Sequence, residues 1–252
     1  MHIQLIRNAT LNINYAGTKF LVDPFLAEKG SYPPFPDSAR QEEQNPLVEL
    51  PVAIDQLTDA DAVIVTHLHL DHYDEKAIEV LPKNIPMFVQ NDADAEEVRK
   101  GGFTQVTVLT EDTEINGICL AKTKGEHGRG EILNIAGDVC GIVFTHPSEK
   151  TLYVAGDTVW YHEVEKTIIK YKPDVIVINA GDNQFNTGGS LIMGKEDVHE
   201  VYKAAPDAKI IAAHMEAVNH WTLSREELKE YILDHGMQNN VFVPADGEAY
   251  DF

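Results

Sequence analysis

The 252-residue chain is short of cysteine, of basic residues and of long apolar runs, and each shortage excludes something. Only two cysteines occur, Cys119 and Cys140, both in apolar strand-like runs and without CxxC spacing. They read as reduced core residues, so disulfides hold nothing together. Lysine plus arginine total 20 against 41 aspartate plus glutamate, a formal charge of −21. Nucleic acid and anionic membrane surfaces demand a dense basic patch, and their absence as partners follows. No apolar stretch approaches the ~20 residues of a membrane span. The opening MHIQLIRNATLNINYAG is broken by polar residues too often for a secretory leader. The expectation is a soluble, cytoplasmic protein whose residues 1–252 form one domain.

Short β-branched runs recur, each stopping at a polar cluster: Lys19 to Val22 before Asp23, Ala62 to Thr66 before His67, Leu152 to Ala155 before Gly156-Asp157, Val175 to Ile178 before Asn179, and Lys209 to Ala213 before His214. This pattern predicts buried strands with chemistry at their C-terminal ends. Helices are predicted between them, over Asp74 to Leu81, Asp92 to Lys100, Trp160 to Lys170, Glu196 to Ala204 and Arg225 to His235. The last carries a capping-box pair, Ser224 and Glu227. Three strand entries, at Asp61, Asp174 and Asp207, resemble one another and hint at two similar halves. Residues 27–51 hold five prolines and no periodicity, which predicts a long loop acting as a lid or substrate loop.

Histidine carries the most information. Of 11 in the chain, three fall within six residues, in His67-Leu68-His69-Leu70-Asp71-His72. In extended chain, residues two apart project to one side about 7 Å apart, so His67 and His69 can close on one cation. Asp71 and His72 then offer a carboxylate and an imidazole to a second. Four residues cannot saturate two cations, and the strand ends supply more: Asp157, whose two oxygens suit it to bridge two ions, His214, and His127 in the flexible Gly125-Glu126-His127-Gly128. His220 follows His214 by six residues, and either could be the last ligand. The strand-end position favours His214. His2, His146, His162, His199 and His235 lack such context and read as structural.

His67-x-His69-x-Asp71-His72 followed by His127, Asp157 and His214 resembles the metallo-β-lactamase superfamily. Leu21-Val22-Asp23-Pro24 and Val154-Ala155-Gly156-Asp157-Thr158 are similar to the branch of metal-dependent hydrolases related to L-ascorbate-6-phosphate lactonase. The resemblance implies an α/β fold, an αββα sandwich of two mixed sheets flanked by helices. It implies two divalent ions, zinc or manganese, with His67, His69 and His127 on the first. Asp71, His72 and His214 would hold the second, with Asp157 between them and Asp23 supporting the cluster from behind.

Such a pair of ions lowers the pKa of a shared water and polarises a bound carbonyl or phosphoryl oxygen. A dinuclear metal-bound hydroxide attacking a small lactone, ester or phosphodiester is the expected chemistry, with Asp71 the catalytic residue that orients the water and passes a proton. Arg129, Tyr161, Asp182, Asn183 and His220 are candidates to contact the substrate, Arg129 as an anion anchor. A metal-dependent nuclease and a non-catalytic metal-binding module are the alternatives. The partner is a small molecule, with homo-oligomerisation left open.

Overall fold

Branched and aromatic side chains pack well on a pleated surface, and in the computed structural model, which describes all 252 residues, such runs form fourteen strands. These are β1 (His2–Arg7), β2 (Thr10–Tyr15), β3 (Thr18–Val22), β4 (Ala62–Val65), β5 (Pro86–Val89), β6 (Gln105–Val108) and β7 (Thr113–Ile115). The second half adds β8 (Ile118–Lys124), β9 (Cys140–Thr145), β10 (Leu152–Val154), β11 (Val175–Asn179), β12 (Lys209–Ala213), β13 (Val241–Phe242) and β14 (Ala249–Asp251). One sheet runs β14-β1-β2-β3-β4-β5-β6 and the other β13-β12-β11-β10-β9-β8-β7. Each is mixed: β3 to β6 and β10 to β13 are parallel, while the remaining neighbours are antiparallel.

Strand alternation builds the layers. In β4, Ala62 and Ile64 enter the core between the sheets, where Phe20, Leu120, Ile142, Phe144 and Val177 meet them. Val63 and Val65 point the other way, towards α1 (Ile54–Thr58), α2 (Glu75–Val80) and α3 (Asp92–Lys100). After the four-residue α4 (Leu133–Ala136), the helices α5 (His162–Tyr171), α6 (Lys195–Ala204) and α7 (Arg225–Asp234) cover the second sheet through Val164, Ile168, Val198, Val201, Leu228 and Ile232. The result is the expected αββα sandwich. Lys209–Ala213 and Asp92–Lys100 fall on the expected residues, and the capping box at Ser224 and Glu227 is formed.

The hint of two halves has a physical counterpart. Asp61 accepts a hydrogen bond from Lys19 N at 2.8 Å and returns its own N–H to Lys19 O, tying the start of β4 to β3. Asp174 does the same with Thr151 at the start of β11. Parallel strands are thereby aligned at their entries, so their C-terminal ends finish together on one edge.

Residues 27–51 contain neither helix nor strand, yet they are firmly attached. The fully buried Arg7 donates to the carbonyls of Phe25 and Ala27 where the loop leaves β3, and to Val48 O where it returns. Asp74 accepts from Leu26 N and Ala27 N while capping α2 through Ala77 N. The middle is held by Asn219, whose Oδ1 accepts from Phe35 N and Asn45 Nδ2 and whose Nδ2 donates to Ser38 Oγ and Ala39 O.

Burial lowers the Arg7 pKa to about 10, against the pull of Asp74, so the guanidinium remains charged at neutral pH. Replacing Arg7 by Met strips three carbonyls, those of Phe25 and Ala27 buried and that of Val48 partly so, of their donor, and the expected loss is about 3 kcal/mol in urea unfolding. Lys76→Ala, which removes only an exposed ion pair with Glu79, should leave the midpoint unchanged.

Candidate metal centre

The parallel strands end where the two sheets meet, and the chemistry collects on that edge. After β4 the chain folds back sharply, with His72 N and Tyr73 N both donating to His69 O at 2.9 Å. This turn gathers the rings: His67 lies 4.4 Å from His69, edge-on, and 4.1 Å from His72, tilted, centroid to centroid. Asp157 arrives from β10 behind Gly156, which has φ +70° and packs so tightly that a Cβ would collide with the Cys140 carbonyl. His214 leaves β12 in the left-handed region, φ 59°, its N–H held by Asn8 O at 2.8 Å. A branched residue there would be strained, and the turn aims the imidazole back between the sheets.

One oxygen organises the cluster. Asp157 Oδ2 lies 3.2 Å from His72 Nε2, 3.6 Å from His127 Nε2, 3.7 Å from His214 Nε2 and 4.0 Å from His67 Nε2. Three sets of ligand atoms lie within 4.8 Å of one another: His67, His69 and His127; His67, His72 and Asp157; Asp71, His72 and His214. His214, and not His220, therefore joins Asp71 and His72.

Groups behind the cluster set its tautomers. Asp23, itself at φ 47°, accepts from Thr66 N and Thr66 Oγ1 and meets His72 Nδ1 at 2.9 Å. His127 Nδ1 meets Leu191 O at 3.0 Å. A ring that donates through Nδ1 turns a bare Nε2 inwards, as a metal requires. Asn179 donates to Asp157 Oδ1 at 2.6 Å and Asn8 to Asp71 Oδ2 at 3.2 Å.

Burial pushes the pKa values of His67, His69 and His127 down, and repulsion from neighbouring rings adds to this at His67 and His69. Burial alone would raise those of Asp71 and Asp157. The hydrogen bond from His214 at Asp71, and the nearby His72 and His214 at Asp157, hold both carboxylates far below their usual range. Neutral His67, His69 and His127 beside ionised carboxylates are the donor chemistry of a divalent cation. At His72 burial is outweighed by the attraction of Asp157 and Asp23, which raises the pKa, a pull towards the positive charge that a cation would supply. His67 Nε2, buried with no hydrogen-bond partner, is the atom that such an ion would satisfy. The residues present fit the group.

A cavity of about 140 Å³ opens over the cluster, lined by His69, Asp71, His127, Asp157 and His220 on one side. Phe35, Leu70, Ile135, Ala136, Phe185 and Leu191 form the apolar wall. Phe35 brings loop 27–51 to the site. Of the residues expected to meet substrate, His220 lines the cavity and Asn183 lies directly behind it. Three others do not line it. Arg129 is taken up by a two-oxygen ion pair with Asp197 at 2.8 Å and by Trp160 O, so it is no free anion anchor. Tyr161 lines a separate polar groove with Lys122 and Lys124. The Asp182 carboxylate accepts from Gln184 and Thr222. Asn179 and Asn8 escape a reading by motif: the first stands at a strand end, where the pattern could have found it, but the second sits in a β-turn without any such signal.

The β-lactamase superfamily domain matches residues 18–215. The chain belongs to that family. It is 63% identical, over all of both chains, to the UPF0173 protein YddR of Bacillus subtilis (strain 168). Among solved structures it is similar to an isothiocyanate hydrolase from Delia radicum gut bacteria, at 44% identity and a TM-score of 0.96, covering 100% of this chain and 99% of that one. A possible metal-dependent hydrolase from Veillonella parvula DSM 2008 matches at 41% identity and a TM-score of 0.96, covering 99% and 98%.

Metal analysis of purified variants tests the cluster. Asp157→Ala should lose most bound zinc or manganese while His146→Ala and His162→Ala keep it. Asn179→Leu, which only unseats the Asp157 carboxylate, should weaken metal affinity about 10- to 100-fold.

Proposed function

We propose that this chain, a metal-dependent hydrolase of the metallo-β-lactamase fold, binds two divalent ions and hydrolyses small neutral isothiocyanates. The observation that carries the substrate class is the cavity: six of its eleven lining residues are apolar and none is lysine or arginine. A phosphorylated lactone or a phosphodiester would find no cationic side chain to anchor it. At about 140 Å³ the space corresponds to only about five waters, suited to a compact group with its tail leaving through the mouth. Ile135, 75% exposed while lining the cavity, stands at that mouth. The name of the 44% identical structure points to the same class.

His67, His69 and His127 would hold one ion and Asp71, His72 and His214 the other, with Asp157 between them. When bound, the ions supply Lewis acidity and a water deprotonated near neutral pH. Zinc suits the imidazole-rich set, and manganese is the alternative. Asp71 accepts a hydrogen bond from the water and orients it. Phe35, Leu70, Phe185 and Leu191 shield the reacting carbon from bulk solvent and hold the hydrocarbon substituent. Loop 27–51, pinned along its length, serves as a fixed wall of the site.

Zinc- or manganese-loaded protein should release amine and carbonyl sulfide from allyl or benzyl isothiocyanate, lose the activity to a chelator and regain it with metal. Phe35→Ala should raise KM by about 5- to 30-fold, the loss of 1 to 2 kcal/mol of ring contact, with metal content unchanged. Turnover of lactones or phosphodiesters with inert isothiocyanates would overturn the substrate reading.

A further inference from the structure

We propose that His220 is a catalytic proton shuttle of the cavity, and that Asn183 is the positioning residue that fixes its tautomer by linking it to His214. The inference rests on the isothiocyanate reading for its chemistry, although its structural half does not. His220 is the one titratable cavity residue outside the three metal-ligating sets. Its ring is buried, edge-on to Phe35 at 4.6 Å and stacked on Phe185 at 6.1 Å, and its Nδ1 has no hydrogen-bond partner. An unpaired buried polar atom costs about 1–3 kcal/mol, a cost that a substrate or water contact relieves.

The carboxamide of Asn183 meets His214 Nδ1 at 3.4 Å and His220 Nε2 at 3.1 Å through one atom, while its other polar atom has no partner. The two ends of a carboxamide exchange by a half-turn. With His214 Nε2 given to a cation, His214 Nδ1 must carry the proton and needs an acceptor, so the amide presents its oxygen. The same oxygen then accepts from His220 Nε2–H. Nδ1 of His220 is left as a bare lone pair on a ring that lines the cavity. Burial keeps the ring neutral, its pKa lowered to about 4.

The chemistry asks for such an atom. Adding water to R–N=C=S forms a C–O bond and gives the thiocarbamic acid R–NH–C(=S)–OH. Breaking its C–N bond leaves R–NH2 and O=C=S. Both protons of the water finish on nitrogen, so a group must take a proton from oxygen and return it to nitrogen without itself being consumed. Asp71 and Asp157 belong to the metal-ligating sets, which leaves His220 as the cavity's uncommitted base. His220 Nδ1 accepts the proton and delivers it to the departing nitrogen.

Two experiments decide the matter. In zinc-loaded wild-type protein, 15N NMR should find His220 Nε2 protonated and Nδ1 bare, and Asn183→Leu should scramble that preference. A protonated Nδ1 in the wild type overturns the proposal, whether or not any isothiocyanate is a substrate. For turnover, His220→Ala should lose about 10²- to 10⁴-fold in kcat, with KM and zinc content held and added imidazole restoring part of the rate. Wild-type kcat in that variant also overturns it, as does a loss of rate that imidazole leaves untouched. Failure of wild-type protein on every isothiocyanate defeats the substrate reading instead, and the NMR result then judges the tautomer alone.

Discussion

Four imidazole nitrogens surround one carboxylate oxygen, Asp157 Oδ2, at 3.2–4.0 Å in a buried space, and the rest of the molecule answers to that arrangement. Converging lone pairs around an ionised carboxylate are unfavourable unless something positive lies among them. Protonating the rings would supply that charge, and Asp157 and Asp23 favour it at His72, but burial opposes it at His67, His69 and His127. Divalent cations supply it without desolvated ring protons. A core of this kind therefore holds stability and affinity for metal in the same contacts.

The sandwich assembles the cluster from distant parts of the chain. His67 to His72 follow β4 in one sheet, whereas Asp157 and His214 end β10 and β12 in the other. The joint between the sheets at this point is small and polar. Asn8, in the turn between β1 and β2, binds the His214 backbone with its carbonyl and Asp71 with its amide. One residue, through its backbone and its side chain, thus sets the spacing between ligands contributed by the two halves. The paired devices at Asp61 and Asp174 explain how both sets of strands finish at a common edge.

Strands and helices were legible in the sequence where apolar periodicity was strong and the ends carried caps, as in β12, α3 and α7. The antiparallel hairpin β1–β2 was harder to see, because Asn12 and Asn14 interrupt its outward face. At the site, the residues that stand out are those whose chemistry is rare at their spacing. His67 to His72 could be read without a fold. The partners that set tautomers could not, because Asn8, Asn179 and Leu191 O depend on contacts between segments far apart in sequence. Arg129 shows the same limit from the other side: nothing in the sequence tells that Asp197, on α6, is brought against a cation two residues past His127.

The acidic surface and the apolar cavity are consistent parts of one design. A chain of formal charge −21 repels anions at a distance, and at about 0.15 M salt that field decays over about 8 Å. An anionic substrate admitted through it would still need a cationic side chain near the ions, and the one arginine next to the site is committed to Asp197. A neutral electrophile avoids both difficulties. On the proposed reading it needs only apolar contact along Phe35, Phe185 and Leu191 and a polar floor where charge develops, so the same walls that exclude solvent would also select against charged competitors.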